Sequence, residues 1–198
     1  LKRVPIPYSG QLAMNRTTYS DLLVFVLLAA FGVLGRWLQP EWNFTPIAAT
    51  AALGGFYFAR RLPAVLLPVA ILAISDIALA THVSLQGAVY AAMLVPVALG
   101  RLASQSGGSR RVASLAAVGF VPATVFFVVT NFAVLLFQSS YAPTLAGLTE
   151  CYIRALPFYR TMLAGDLFYG GLLLTAATVG MWLSAGGGTK RAAAPARS

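Results

Sequence analysis

The sequence predicts an all-α integral membrane protein of about six transmembrane helices, N-in/C-in, with an amphipathic external helix between helices five and six. Three observations predict it. Of 198 residues, 59% are hydrophobic and only 10% are charged, whereas a soluble domain carries about 25% charged residues. The apolar residues gather in six runs, judged against the ~20 residues that a helix needs to cross ~30 Å of hydrocarbon. The basic residues alternate between the two sides through every loop.

The six runs are 21–38, 46–59, 62–80, 86–103, 112–137 and 161–184. The fifth is long and holds Pro122, which predicts a tilt or a kink. The second is short, only ~21 Å as a helix. Either 42–45 extends it, or the loop before it dips inward to complete the span. Irregular backbone at membrane depth is tolerated where protein or a water-filled cavity covers it, so a dipping loop borders a cavity.

Orientation follows from Lys and Arg. Lys2, Arg3 and Arg16 precede the first run, Arg60 and Arg61 separate the second and third, and Arg101, Arg110 and Arg111 flank the loop after the fourth. Lys190, Arg191 and Arg197 follow the sixth. The opposite side holds Arg36, Arg154 and Arg160 alone. An excess of eleven to three places both termini in the cytoplasm. The chain divides into a cytoplasmic N-terminal segment over 1–19, one transmembrane domain over 20–184, and a flexible cytoplasmic tail over 185–198. No signal peptide is expected at the start, and the first helix reads as a signal anchor. MNRTTYSDLL, opening at Met14, looks like a natural start, so 1–13 reads as a non-native extension.

Net charge is +9, but the charges sit in short clusters between apolar runs, so no nucleic-acid partner is expected. The lipid bilayer is the expected partner. One cysteine, Cys151, permits no internal disulfide, and the single His82 excludes a multi-histidine metal site. There is no Walker A, GxGxxG, HExxH or nucleophile elbow. No catalytic residue, resident cofactor or metal is expected, and the chain is not expected to be an enzyme. Asp76 and Asp166 as the paired carboxylates of an intramembrane enzyme would have to lie within ~10 Å of each other.

Intramembrane ionisable residues are functional-site candidates by default. Asp76 lies ~22 Å along its helix from Arg61, and Asp166 lies ~9 Å into the sixth from Arg160. The two carboxyls therefore share a depth in the outer third, where Asn131 and Thr130 also fall. Two readings stand for this constellation. It lines a common pocket, or it cross-links helices by hydrogen bonds and ion pairs to Arg36 or Arg160. Trp42 and Asn43 in the loop LQPEWNFTP join the constellation if that loop dips.

The segment 144–156 has a helical pattern, with Leu148, Cys151, Tyr152 and Ala155 on one face and Glu150 and Arg154 as an i,i+4 pair elsewhere. It is expected to stop before Pro157 and to lie over the outer surface. It acts there either as a lid carrying Glu150, Cys151 and Arg154, or as a passive interfacial helix. Cys151 reads as a small buried hydrophobe. As a soft metal ligand it would need a metal that arrives within the substrate. Ala48, Ala52 and Gly55 put small residues on the second helix, where another helix, internal or from a partner, approaches closely.

The blocks NFTPIAATAALGGFYF, LPAVLLPVAILAISDIAL, FFVVTNFAVLL and GLTECYIRALPFYRTMLAGDLFY, across roughly 42–169, resemble a family of small six-helix bacterial membrane proteins of unknown function. That family in turn resembles the substrate-binding (S) components of energy-coupling-factor (ECF) transporters. The resemblance implies a multi-pass protein of the bacterial inner membrane that takes part in vitamin uptake. It would capture a small micronutrient from the extracytoplasmic side and deliver it through an ECF-type transmembrane/ATPase module. Substrate would then contact Trp42, Asn43, Asp76, Asn131, Tyr152 and Asp166. The alternative is a structural or accessory subunit of another membrane complex, with no substrate of its own.

Overall fold

The computed structural model describes residues 9–79 and 83–191, and His82, Lys2, Arg3 and Arg197 lie outside them. Regular structure among the described residues is helical throughout. The order is α1 (Ser9–Trp37), α2 (Ile47–Tyr57), α3 (Arg61–Leu79), a 3-10 turn at Val83–Leu85, α4 (Gln86–Ala92), α5 (Leu94–Gln105), α6 (Gly108–Ala117), α7 (Val121–Phe137) and α8 (Leu145–Arg191).

Three stretches are long and apolar enough to cross a membrane: Tyr19–Trp37, Arg61–Leu79 and α4 with α5 as Gln86–Gln105. The pair α6 and α7 makes a fourth if taken as one span bent by 43°. The bend falls at Val118–Phe120 rather than inside a helix. Pro122 sits in the first turn of α7, where its missing N–H costs nothing because that donor has no helical partner anyway. Outward-facing Leu22, Leu27, Leu62, Ile77, Phe137 and Leu172 are all more than half exposed, an apolar exterior that fits lipid better than water.

The centre of the bundle is α2. It is apolar all round and is buried from Ile47 to Ala52 and at Gly54 and Gly55, as a helix without a polar face must be. Its small residues let α5 approach backbone to backbone. A Cβ on Gly55 would collide with the Val97 carbonyl, and one on Gly100 with the Ala52 carbonyl. The helix met by Ala52 and Gly55 is therefore internal, α5 of the same chain, and Ala48 is 3% exposed within the same core. On the other side α1 meets α3 at Gly32, where an added Cβ would lie 2.5 Å from the Ile71 side chain.

With 11 residues, α2 is only ~16 Å long. Residues 42–45 do not extend it. The loop dips into the bundle instead: the Phe44 and Thr45 backbone would lie 3.2 Å from a Cβ on Gly165, and the Phe44 ring packs on Phe168 and Tyr169 with centroids 5.8 and 5.7 Å away. Asn43 turns the chain with a φ of +68°, a left-handed conformation that asparagine tolerates better than most residues. Its N–H donates to Gln39 Oε1 at 2.9 Å.

The largest departure from expectation is α8. The segment expected as a separate external helix, stopping before Pro157, is continuous with the sixth run as one 47-residue helix. Its first turns run antiparallel along α7. A proline inside a helix removes one ladder bond and costs ~3 kcal/mol. Contacts on both sides of Pro157 offset that cost: Tyr152 Oη donates to the Val128 carbonyl at 2.7 Å before it, and Tyr159 meets Thr124 Oγ1 at 3.0 Å after it. Both ends of the chain also carry more helix than hydropathy marks, from Ser9 and as far as Arg191. Hydropathy locates the lipid-facing turns, and helix can continue past them.

Candidate functional site

Two adjoining spaces lie where the ends of α1 and α3, the start of α4, and α7 and α8 come together. The first is a chamber of about 70 Å³ lined by Arg36, Gln39, Trp42, Asn43, Thr45, Ile47, Ala48, Leu72, Val89, Met93, Phe126, Met162 and Asp166. That is room for a few water molecules. The second is a groove of about 490 Å³ lined by Asn43, Leu85, Val89, Phe126, Phe127, Thr130, Asn131, Val134, Ala155, Phe158, Tyr159 and Met162. Asn43, Val89, Phe126 and Met162 line both, so the chamber is the polar end of an aromatic groove. Ligand pockets typically measure ~300–1,000 Å³, and the groove falls in that range.

Arg36 closes one wall of the chamber. It is ion-paired with Asp76 and donates to Ser75 Oγ at 2.6 Å. Ser75 passes its own proton to the Ile71 carbonyl at 2.6 Å, and Trp37 Nε1 donates to the Ser75 carbonyl at 3.4 Å. The Arg36 and Asp76 side chains are 15% and 8% exposed. Removing one member of such a buried pair strands the other charge.

Asp166 closes the opposite wall from α8. It is 5% exposed, and its carboxyl lies beside the Ala123 backbone N–H. Ala123 lies in the first turn of α7, where backbone donors lack helical partners and a negative group is favoured. One oxygen, Oδ2, is buried and has no hydrogen-bond partner.

Trp42, Asn43 and Asp166 thus line the chamber, and Asn43 and Asn131 line the groove. Asn131 also donates from Nδ2 to the Phe127 carbonyl at 2.8 Å. Asp76 does not face the space, because its charge is committed to Arg36. Tyr152 lines neither wall, since its hydroxyl is held by Val128 and its ring packs edge-on against Phe127 at 5.2 Å.

Glu150, Cys151 and Arg154, expected as a lid, line neither the chamber nor the groove. Glu150 and Arg154 form an exposed i,i+4 ion pair at 2.8 Å. Cys151 is 2% exposed, with Sγ 3.6 Å from the Asn131 carbonyl it donates to. It is a small packed residue. No group of three or more His, Cys, Asp or Glu able to share a metal ion occurs among the described residues.

Sequence reasoning missed the aromatic wall of Phe126, Phe127, Phe158 and Tyr159, and the part taken by Met162. In a chain this apolar, aromatic residues are unremarkable one by one. The available signal was four aromatics on two segments that also carried Asn131 and Asp166.

Fold and site define an all-helical protein with several membrane-like apolar helices and a polar chamber opening into an aromatic groove. The chain belongs to the DUF6580 family, a family of unknown function, whose model matches residues 16–183. No curated protein and no solved structure matches it.

Proposed function

We propose that the protein is a substrate-binding membrane protein of the energy-coupling-factor S-component type, capturing a small vitamin-like molecule from the extracytoplasmic side. Six spans cross the bacterial inner membrane in this reading: α1, α2 with its dipping loop, α3, α4–α5, α6–α7 and α8. Both termini are cytoplasmic, as the eleven-to-three excess of basic residues requires. An ECF-type transmembrane/ATPase module would supply the energy, since this chain has no nucleotide-binding motif.

The observation that carries the reading is the shared wall of chamber and groove at Asn43. It joins a charged end, Arg36 and Asp166, to an aromatic body of ligand-binding size. An apolar pocket with a few convergent polar groups is the usual form of a small-molecule site.

Native mass spectrometry of the protein purified in mild detergent tests it. The wild type is expected to retain a small molecule, or to take one up from a vitamin mixture. Asn43→Gly should lose it, because glycine keeps the left-handed backbone but removes the shared polar side chain. Equal retention by both proteins would move the site elsewhere. A wild type that binds nothing but co-purifies with a stoichiometric non-ATPase partner would instead establish an accessory subunit.

A further inference from the structure

The charges around the chamber do not balance, and the imbalance bears on what enters it. Arg36 is the basic residue on the wall, and it is already paired with Asp76. Asp166 is the acidic residue on the wall. Its carboxyl lies beside the Ala123 N–H at the head of α7, and Oδ2 is buried without any partner. A buried polar atom without a partner costs ~1–3 kcal/mol, and more when the group is charged. Native proteins keep few such atoms, and those they keep ask for an explanation.

No side chain of the wall is hydrogen-bonded to Oδ2. Gln39, Trp42, Asn43 and Thr45 are the remaining polar side chains of the lining, and Oδ2 has no partner among them. The chamber is also too small for the body of a ligand and large enough for a head group.

We propose that the Asp166 carboxyl, with Oδ2 unpartnered, is the recognition point for the head group of the substrate. That head group is a hydrogen-bond donor carrying positive charge, such as an ammonium, an amidinium or a protonated ring nitrogen. The substrate is then a small amphipathic cation whose apolar or aromatic body lies in the groove against Phe126, Phe127, Phe158 and Tyr159. Aromatic faces suit such a body and also attract a cation passing over them. An anionic head is disfavoured, because the one guanidinium of the wall is already committed to Asp76. This inference rests on the cavity being a substrate site, and it adds the sign of the substrate's charge.

Three fluorinated probes of equal body and different head test it on the full chain in nanodiscs: 4-fluorobenzylammonium, 4-fluorobenzyl alcohol and 4-fluorobenzoate, each followed by fluorine NMR titration. The ammonium should bind the wild type about tenfold or more tighter than the benzoate, the scale of one charge-assisted hydrogen bond. Asp166→Asn should abolish that preference while changing alcohol binding by less than about threefold, because asparagine keeps an oxygen for the Ala123 N–H. Asp166→Ser, which also caps helices, repeats the test if the asparagine variant does not fold.

A preference for benzoate, or an ammonium preference that survives in both variants, overturns the assignment. Alcohol and ammonium binding equally well to the wild type would overturn the charge inference and leave the cavity as a binding site. If none of the three probes binds, the cavity reading falls as well.

Discussion

Between α2 and α5 one backbone rests on the other, while between α4, α7 and α8 large side chains stand apart around open space. At the first interface Gly55 faces the Val97 carbonyl and Gly100 faces the Ala52 carbonyl, with no room for a single Cβ. At the second, Phe126, Phe127, Phe158 and Tyr159 line about 490 Å³. The difference teaches how a small bundle of apolar helices can hold a cavity at all. Lipid offers helices little hydrophobic drive to associate, so close backbone packing through small residues has to hold them together. The seam concentrates that packing in one place and leaves the opposite side free to remain loosely filled.

The comparison breaks most completely at Gly100. Gly100→Leu should abolish recovery of folded protein, because the obstacle is backbone. Overpacking costs ~1–3 kcal/mol even where side chains alone must yield. Size-exclusion chromatography after detergent extraction checks this, and a monodisperse variant at wild-type yield would contradict it. Next in size, Asp76→Ala should destabilise by ~3–5 kcal/mol, because Arg36 is left buried and unpaired at the edge of the chamber. Thermal unfolding measures that loss, and the joint replacement Arg36→Met with Asp76→Leu should recover most of it. A single variant as stable as the wild type would show the pair to be solvated.

The smallest effect concerns Cys151, beside the groove. Only the thiolate reacts with maleimides. Burial hides this sulfur, so labelling at pH 7 should be about tenfold or more slower than in the unfolded chain. The rate should climb as the pH rises towards 9. Intact-mass analysis over time follows it, and fast labelling of the native protein at pH 7 would mean that the helix carrying Cys151 lifts from α7.

Much of the fold could be read in the sequence, and the boundaries of failure are informative. The apolar runs behind α1, α3 and α4–α5 were legible by length, and the shortness of α2 left two readings, a helix extended over 42–45 or a dipping loop, of which the extension is absent. Pro122 signalled the disturbance in the fifth run, although the break lies just before it. Pro157 misled, because a local rule of helix termination lost to side-chain contacts with α7 some 25 to 35 residues earlier, which no local pattern displays. The site divides in the same way. An ion pair of a carboxyl with Arg36 or Arg160 was legible as one of two readings, and Asp76 with Arg36 is the pair found. That Asp166 meets the head of α7 was not, since a contact supplied from another helix leaves no mark near the helix it reaches.

One consequence of α8 is mechanical. This helix carries the groove wall at Ala155–Met162 and the chamber carboxyl at Asp166. It then crosses the α6–α7 bend where Gly170 meets Gly119, with 3.2 Å between the Gly119 Cα and a Cβ placed on Gly170. The two glycines let the backbones approach closely, and Leu173 of α8 is buried with Leu115 and Val118 beside them. The arms on either side of the crossing are ~38 Å and ~32 Å long, nearly equal. Groove wall, chamber carboxyl and the crossing at the α6–α7 bend therefore all lie on one continuous rod.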